Sequence, residues 1–350
     1  MELSMADNEY YSEKIHGPHE VFDLGNFELE MGQTLRNAKL LYKTHGQLND
    51  KKDNAILFPH MWSGTSSSME GFIGKGRPLD PEKYFIILPG MFGNGFSSSP
   101  SNTPIPHDRG AFPNVTIGDD VVAQYRLLTE HFGITQLALV LGWSMGAQQT
   151  YEWAVRYPDM VKRAAPFAGT AKVTPHNALW VASHEDALKS DPHYNHGFYN
   201  NANDCHVGIR RHSRLWGVMG LCQEFYQQET WRSIGFSSVE DFQTGFWDNY
   251  FLPMDPNNLI CMGWKWRHGD VSRHTNGDLK KSLASIKAKT YVIAFTNDMS
   301  FPPEHSMAEQ VMIPNSEFHL VNTLWAHFGM FCCAGEGDQI DSILFKLLAN

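Results

Sequence analysis

Gly142-Trp143-Ser144-Met145-Gly146 stands between an apolar run, Leu137 to Leu141, and a helix-forming stretch that begins Ala147-Gln148-Gln149-Thr150-Tyr151-Glu152-Trp153-Ala154. A strand that enters a helix through Gly-x-Ser-x-Gly leaves its serine on a sharp turn, with the hydroxyl projecting clear of the sheet. Small flanking residues let the strained backbone pass close to both helix and strand. The serine also lies at a helix N-terminus, where free N–H groups favour developing negative charge. The bare pattern also fits an ordinary serine in a glycine-rich turn. The readable strand before it and helix after it favour a nucleophile, which demands an α/β architecture.

The 350-residue length suits one large domain, or a core with an insertion. Hydrophobic residues at 42% and charged residues at 19% are those of a globular protein. A net charge of −10 argues against nucleic acid or an anionic membrane as the main partner. Five cysteines without regular spacing do not form a disulfide framework, and adjacent Cys332 and Cys333 are poorly placed to bridge each other. The 17 histidines include no His-Glu-x-x-His, and no Cys-x-x-Cys occurs, so neither a metal nor a cofactor is expected. His268 to His274 reads as a polar loop. Met1 to His19 carries no apolar segment, and no run reaches the roughly 18 apolar residues of a membrane span. A cytoplasmic protein is the expectation, which leaves the sequon at Asn114 without meaning.

Residues 20–50 alternate loosely, as in Val21-Phe22-Asp23-Leu24 and Leu40-Leu41-Tyr42-Lys43-Thr44, and predict antiparallel strands. Short apolar runs follow at 54–58, 84–89, 137–141, 163–167 and 290–295, with a more polar one at 316–320. Runs of this kind suit a parallel sheet buried on both faces. Ile117, Val121, Val122, Tyr125, Leu128 and Phe132 recur at helical spacing, with Asp119 and Asp120 in the first turn. The strand pattern stops near residue 170 and resumes near 288. Between lies a segment rich in Trp, Tyr, Met and His, with helix-like spacing at 206–229 and 238–250. The expected organisation is a core of residues 1–171 and 287–350 with a helical lid at 172–286.

Strands alternating with helices around a Gly-x-Ser-x-Gly turn predict an α/β-hydrolase fold, whose triad runs Ser, then Asp or Glu, then His. Asp298 directly follows the run ending at Phe295 and precedes Phe301-Pro302-Pro303, the start of the next helix. It is preferred over Glu304, which lies inside that helix. His327, in Trp325-Ala326-His327-Phe328-Gly329, follows the last strand and is the expected base, ahead of His305 and His319. Two N–H donors complete an oxyanion hole: Met145, after the nucleophile, and Trp62, in the loop Pro59-His60-Met61-Trp62. His60 reads as a brace for that loop rather than a base.

With these residues the chain resembles the homoserine O-acetyltransferase family of α/β-hydrolases over nearly its whole length. Gly142 to Gly146 and Glu152-Trp153-Ala154-Val155-Arg156-Tyr157-Pro158 are similar to that family's Gly-Gly-Ser-Met-Gly-Gly and Glu-Trp-Ala-x-x-Tyr-Pro. Asp298 with Phe301-Pro302-Pro303-Glu304 is similar to its Asp-x-x-Phe-Pro-Pro-Glu, and Asn177 to its lid entrance. His60-Met61-Trp62 stands where the family has His-Ala-Leu. The resemblance implies a helical lid over a deep tunnel, a ping-pong acyl-serine mechanism and, often, a homodimer formed through the lid.

Members that acetylate homoserine follow the histidine with Asp, whereas Phe328 follows it here. Their Thr-Arg-Ala-x-Asp lid motif is replaced around Met262-Gly263-Trp264-Lys265-Trp266, while Arg214 lies near the matching lid helix. The expected substrate residues are therefore Trp143, Arg214 and Phe328. The expected activity is a serine carboxylic ester hydrolase acting on short alkyl acetates, as in the family's acetate-ester hydrolase members. The alternatives are an acyl-CoA-dependent O-acyltransferase such as homoserine O-acetyltransferase, and a non-catalytic binding scaffold.

Overall fold

The computed structural model describes residues 8–349; Met1 to Asp7 and Asn350, part of the stretches read above as the N-terminal segment and the core, lie outside them. The strands are β1 (Glu20–Glu28), β2 (Thr34–His45), β3 (Ala55–Leu57), β4 (Phe85–Pro89), β5 (Leu139–Trp143), β6 (Arg163–Phe167), β7 (Lys289–Phe295) and β8 (Ser316–Val321). Among the described residues they form one sheet in the order β1-β2-β4-β3-β5-β6-β7-β8. β1 pairs antiparallel with β2, and β2 with β4; the remaining pairs are parallel. The sheet is that of an α/β-hydrolase fold.

Alternation along the strands explains the unbroken apolar runs. Ile56, Ile86, Leu139, Leu141 and Ile293 enter one buried cluster. Leu57, Ile87, Val140 and Val292 enter another. Strands β3, β4, β5 and β7 thus bury both faces, and their runs are nearly all apolar. The first cluster continues into aromatic rings of the inserted segment and into the C-terminal helix, where Ile340, Leu344 and Leu347 pack.

Helix α1 (Ile117–Arg126) opens on a capping box between Thr116 and Asp119 and continues as π-helix through Phe132, ending at Gly133. Helix α2 is Met145–Arg156, directly after the turn at Ser144. Between β6 and β7 every named element is helical, and an isolated bridge joins Lys172 to Asp270. The main helices there are α3 (Pro175–Lys189), α4 (His206–Met219) and α5 (Pro256–Arg267). α3 and α5 both begin with a side-chain cap, Thr174 or Asp255, followed by proline. The helix expected over 206–229 stops at Gly220, where a Cβ would meet the Phe328 ring at 2.3 Å. The end of the insertion turns back under the core, since Val271, Leu283 and Ile286 pack in the second cluster. α6 (Pro303–Gln310) and α7 (Glu336–Ala349) complete the chain. Among the described residues no helix is long and apolar enough to cross a membrane.

Candidate active site

From β3 the chain steps outward to β4, then crosses back to β5 on the other side of β3. The C-terminal ends of β3 and β5 therefore flank a switch point, where open α/β sheets place their ligands. Ser144 follows β5 directly, with φ 58° and ψ −117°. This left-handed backbone costs on the order of 1–3 kcal/mol and persists only where the surroundings enforce it. They do so by close packing. A Cβ on Gly142 would lie 2.2 Å from the Gly146 carbonyl oxygen, and one on Gly146 would lie 2.5 Å from that of Pro59. The two glycines let the elbow touch itself and the loop after β3.

The structure brings Ser144, Asp298 and His327 together. His327 Nε2 lies 3.0 Å from Ser144 Oγ, and Nδ1 lies 2.8 Å from Asp298 Oδ2. Asp298 Oδ1 accepts the backbone N–H groups of Ser300 at 2.8 Å and Phe301 at 3.0 Å, which fixes the carboxylate. With Asp298 accepting at Nδ1, that nitrogen carries the proton, and Nε2 is free to accept one from the serine. Ser144 is 3% exposed and His327 2% exposed, so this chemistry is shielded from bulk water. Glu304 and His305 are exposed on α6, and His319 of β8 packs at a tilt against Tyr291 of β7.

Among the described residues, the backbone N–H groups of Met145 and Trp62 meet no protein acceptor. Met145 is the first residue of α2, and Trp62 lies in the loop after β3. His60, fully buried, donates from Nδ1 to the Met61 carbonyl at 2.8 Å and accepts from Asn94 Nδ2 at 3.1 Å. Burial pushes its pKa down to about 3, so it stays neutral.

Trp143 lies behind the histidine. Its Nε1–H donates to the His327 carbonyl at 3.0 Å, and its ring packs on His327 and Phe331. Phe328 inserts among Trp216, Trp247 and Phe331. Arg214 lies apart from these rings. Ile209, His212, Ser213, Trp216 and Gly217 form the buried stripe of α4, and Arg214 falls off that stripe into solvent. It borders an outer groove of about 840 Å³ shared with Val218, Tyr226, Val239 and Met299, and does not join the triad.

Several residues near the site escaped sequence reading. Trp216 lies nearly parallel to His327 at 6.1 Å between ring centroids. Trp180 and His184 on α3 face His212 and Trp216 on α4, and the two histidines meet Nδ1 to Nδ1 at 3.2 Å. Burial lowers the pKa of both histidines, that of His212 to about 3. The signal was present as two aromatic pairs at i,i+4 spacing, which places each pair on one helix face. Lys265 on α5 is 0% exposed, and its Nζ reaches Asp120 at 2.7 Å and the Phe92 carbonyl at 2.6 Å. Asp120 also accepts the Phe92 N–H, so one buried ion pair ties the insertion to α1 and the loop after β4.

The family model of the α/β-hydrolase fold matches residues 54–331, and the chain belongs to that family. Within it, the chain stands among ester hydrolases related to homoserine O-acetyltransferases. Ethyl acetate hydrolase of Pseudomonas veronii is 49% identical over 345 residues, 98% of this chain and 99% of that protein. The crystal structure of an acetylester hydrolase from Corynebacterium glutamicum matches with a TM-score of 0.97 at 47% identity, covering 98% of this chain and 99% of that one. A homoserine O-acetyltransferase of Methanococcoides burtonii is 32% identical over 311 residues, 81% of this chain and 63% of that protein.

Proposed function

We propose that this chain is a serine carboxylic ester hydrolase that cleaves short alkyl acetates through an acyl-serine intermediate. The observation that carries this reading is the Ser144–His327–Asp298 hydrogen-bond chain, at 3.0 and 2.8 Å, in a buried site walled by aromatic rings. The similarity to proteins named ethyl acetate hydrolase and acetylester hydrolase supports it.

His327 Nε2 takes the Ser144 proton as Oγ attacks the ester carbonyl. The carbonyl oxygen becomes an oxyanion and is met by the N–H groups of Met145 and Trp62. The tetrahedral species collapses, His327 returns its proton to the departing alkoxide, and the alcohol leaves. Water, deprotonated by the same histidine, then attacks the acyl-serine; the acyl–Oγ bond breaks, His327 returns the proton to Ser144 Oγ, and acetate leaves. Asp298 holds the imidazole in the competent tautomer and stabilises the imidazolium.

Phe328 favours water over an amino-acid alcohol as acceptor. Its ring fills the position beside His327 and packs on Trp216 and Trp247. An ammonium brought against these rings loses hydration without a carboxylate to replace it. The test is the purified protein with a panel of alkyl acetates, beside acetyl-CoA plus homoserine. Turnover of the esters with no homoserine-dependent release of CoA is expected. The reverse pattern assigns an acyltransferase.

In this reading residues 172–286 act as a lid on the core. We further propose a homodimer formed through it. The outer groove has an apolar floor of Val218, Leu221, Tyr226 and Met299, with Val218 63% exposed, and Arg214 and Glu240 of opposite charge at its rim. A two-fold pairing of such a surface would be self-complementary. Light scattering of the wild type and of Val218→Asp tests it, and a monomeric wild type refutes it. We also propose the cytoplasm as its site of action, a reading that five free thiols support.

A further inference from the structure

We propose that Trp62 is a positioning residue through which the lid aligns the oxyanion hole. The inference rests on the reading above, in which the Trp62 N–H is one of the two oxyanion donors.

That N–H belongs to the Met61–Trp62 peptide. A trans peptide is planar, and its C=O and N–H point in opposite directions, so the N–H follows the tilt of the whole plane, and bonds at the carbonyl oxygen alone leave that plane free to pivot about it. On the carbonyl side the anchors come from the core loops. The Met61 carbonyl accepts from His60 Nδ1 at 2.8 Å and from the Gly64 N–H at 3.1 Å. His60 is held in turn by Asn94.

On the other side the anchor is the Trp62 side chain, and every ring it meets comes from the insertion. Its centroid lies 5.0 Å from His212, 5.5 Å from Trp216, 5.7 Å from His184, 5.8 Å from Trp266 and 6.4 Å from Phe251. The indole Nε1–H donates to the Leu259 carbonyl of α5 at 3.0 Å. Three lid helices and Phe251 thus grip one side chain whose own backbone belongs to the core. The His184–His212 hydrogen bond joins α3 to α4 beneath that ring. Both imidazoles are fully buried and stay neutral, so the seat does not break through charging near neutral pH.

Two attachments, one from each body, define the direction of the donor. If the lid lifts or its seat is loosened, only the carbonyl anchors remain, and the N–H is free to rock. A donor misplaced by a fraction of an ångström loses much of its grip on the oxyanion, while ground-state binding of the ester changes little. The oxyanion hole is complete only with the lid in place.

The test compares 4-nitrophenyl acetate with its thiono analogue, in which C=S replaces C=O. Sulfur accepts hydrogen bonds poorly, so an intact hole favours the oxygen ester, and the ratio of the two rates reads the hole rather than general stability. Trp62→Leu retains the N–H but removes the ring and the bond to Leu259. It is expected to lower kcat for the oxygen ester by about 100-fold with KM little changed, and to collapse the oxygen-to-sulfur ratio by about tenfold. Trp62→Phe, which keeps a ring but loses the indole donor, is expected to fall between. His212→Ala, a change in the lid alone, is expected to lower the ratio in the same direction. Should Trp62→Leu fail to fold, Trp62→Phe and His212→Ala decide the matter. If the wild type does not discriminate between the esters, the assignment of the hole is itself wrong. If the wild type discriminates and the folded variants keep its ratio, the hole stands and the lid does not align it.

Discussion

The two sides of the candidate site are built by different means. The core side is set by backbone. Ser144 is held at positive φ by the contact of Gly142 with Gly146 and of Gly146 with Pro59, and Asp298 is pinned by two N–H groups three residues or fewer away. The lid side is set by side chains: Trp62, Trp180, Trp216, Trp266 and the His184–His212 pair interlock from several helices. Backbone placement leaves a short local signature in the sequence. Ring packing leaves only a faint one, the i,i+4 pairs Trp180/His184 and His212/Trp216, because any one ring reads as core. The comparison implies that the core side fails by losing chemistry while keeping the fold, and that the lid side fails by losing fold and alignment together.

The sharpest way to break this comparison is at the nucleophile. Ser144→Ala removes one buried oxygen from a turn that glycines and strand pairing already hold. Turnover of alkyl acetates is expected to fall by about 10⁶-fold with an unchanged melting temperature, and His327→Ala to do as much, because the triad acts as a unit. A serine-reactive phosphonate is expected to label Ser144 alone. Label found elsewhere, or retained turnover in the alanine variant, removes the elbow from the mechanism. Asp298→Asn comes next. It keeps the shape but presents the wrong hydrogen-bonding group to His327 Nδ1, and about 10⁴-fold in kcat is expected. A mild Asp298→Asn beside a damaging Glu304→Gln would mean that the orienting carboxylate has been misassigned.

The lid is expected to respond through stability. Lys265→Met leaves Asp120 buried and unpaired against the Phe92 N–H, a loss of about 3–5 kcal/mol. Replacing both partners, Lys265→Met with Asp120→Asn, is expected to recover most of it, since two charges no longer need desolvation. Denaturant unfolding of the two variants measures this. Equal stability of both with the wild type would show that the ion pair does not tie the lid to the core.

This division explains what the sequence made legible. The sheet could be read because strands buried on both faces give unbroken apolar runs, and the triad because each member follows a strand end. Strand β5 lay two residues later than its apolar run suggested, since Gly142 and Trp143 pair with Pro166 and Phe167 and belong to the sheet. Resemblance places Arg214 on the matching lid helix but does not say which face it takes: the buried stripe of that helix runs through His212 and Trp216, and Arg214 is exposed. Lys265 gave no warning: a lysine between two tryptophans looks solvated until a carboxylate 145 residues away proves to be its partner. Pairings across such separations carry no local pattern, and only the assembled fold displays them.

The smallest expected effect lies at the seam between the two regions. β6 leads into Ala168 to Lys172, the stretch that carries the chain into the insertion. Glu309 of α6 receives it, accepting the Ala171 N–H at 3.0 Å and the Thr170 hydroxyl. Burial raises the pKa of this carboxyl to about 7, against the opposing pull of those donors. In the unfolded chain the same group titrates near 4.5. The native state therefore holds a proton that the unfolded state has lost, and between these values stability falls as pH rises. The contribution is fully present below pH 4.5 and gone above pH 7, on the order of 3 kcal/mol in all. Glu309→Gln keeps the shape and cannot titrate. Melting curves from pH 4.5 to 8 are expected to show the wild type declining relative to that variant through the window, then running parallel to it. A constant difference across the whole range would mean that Glu309 is ionised in the native protein, and that the seam is held by a carboxylate rather than an acid.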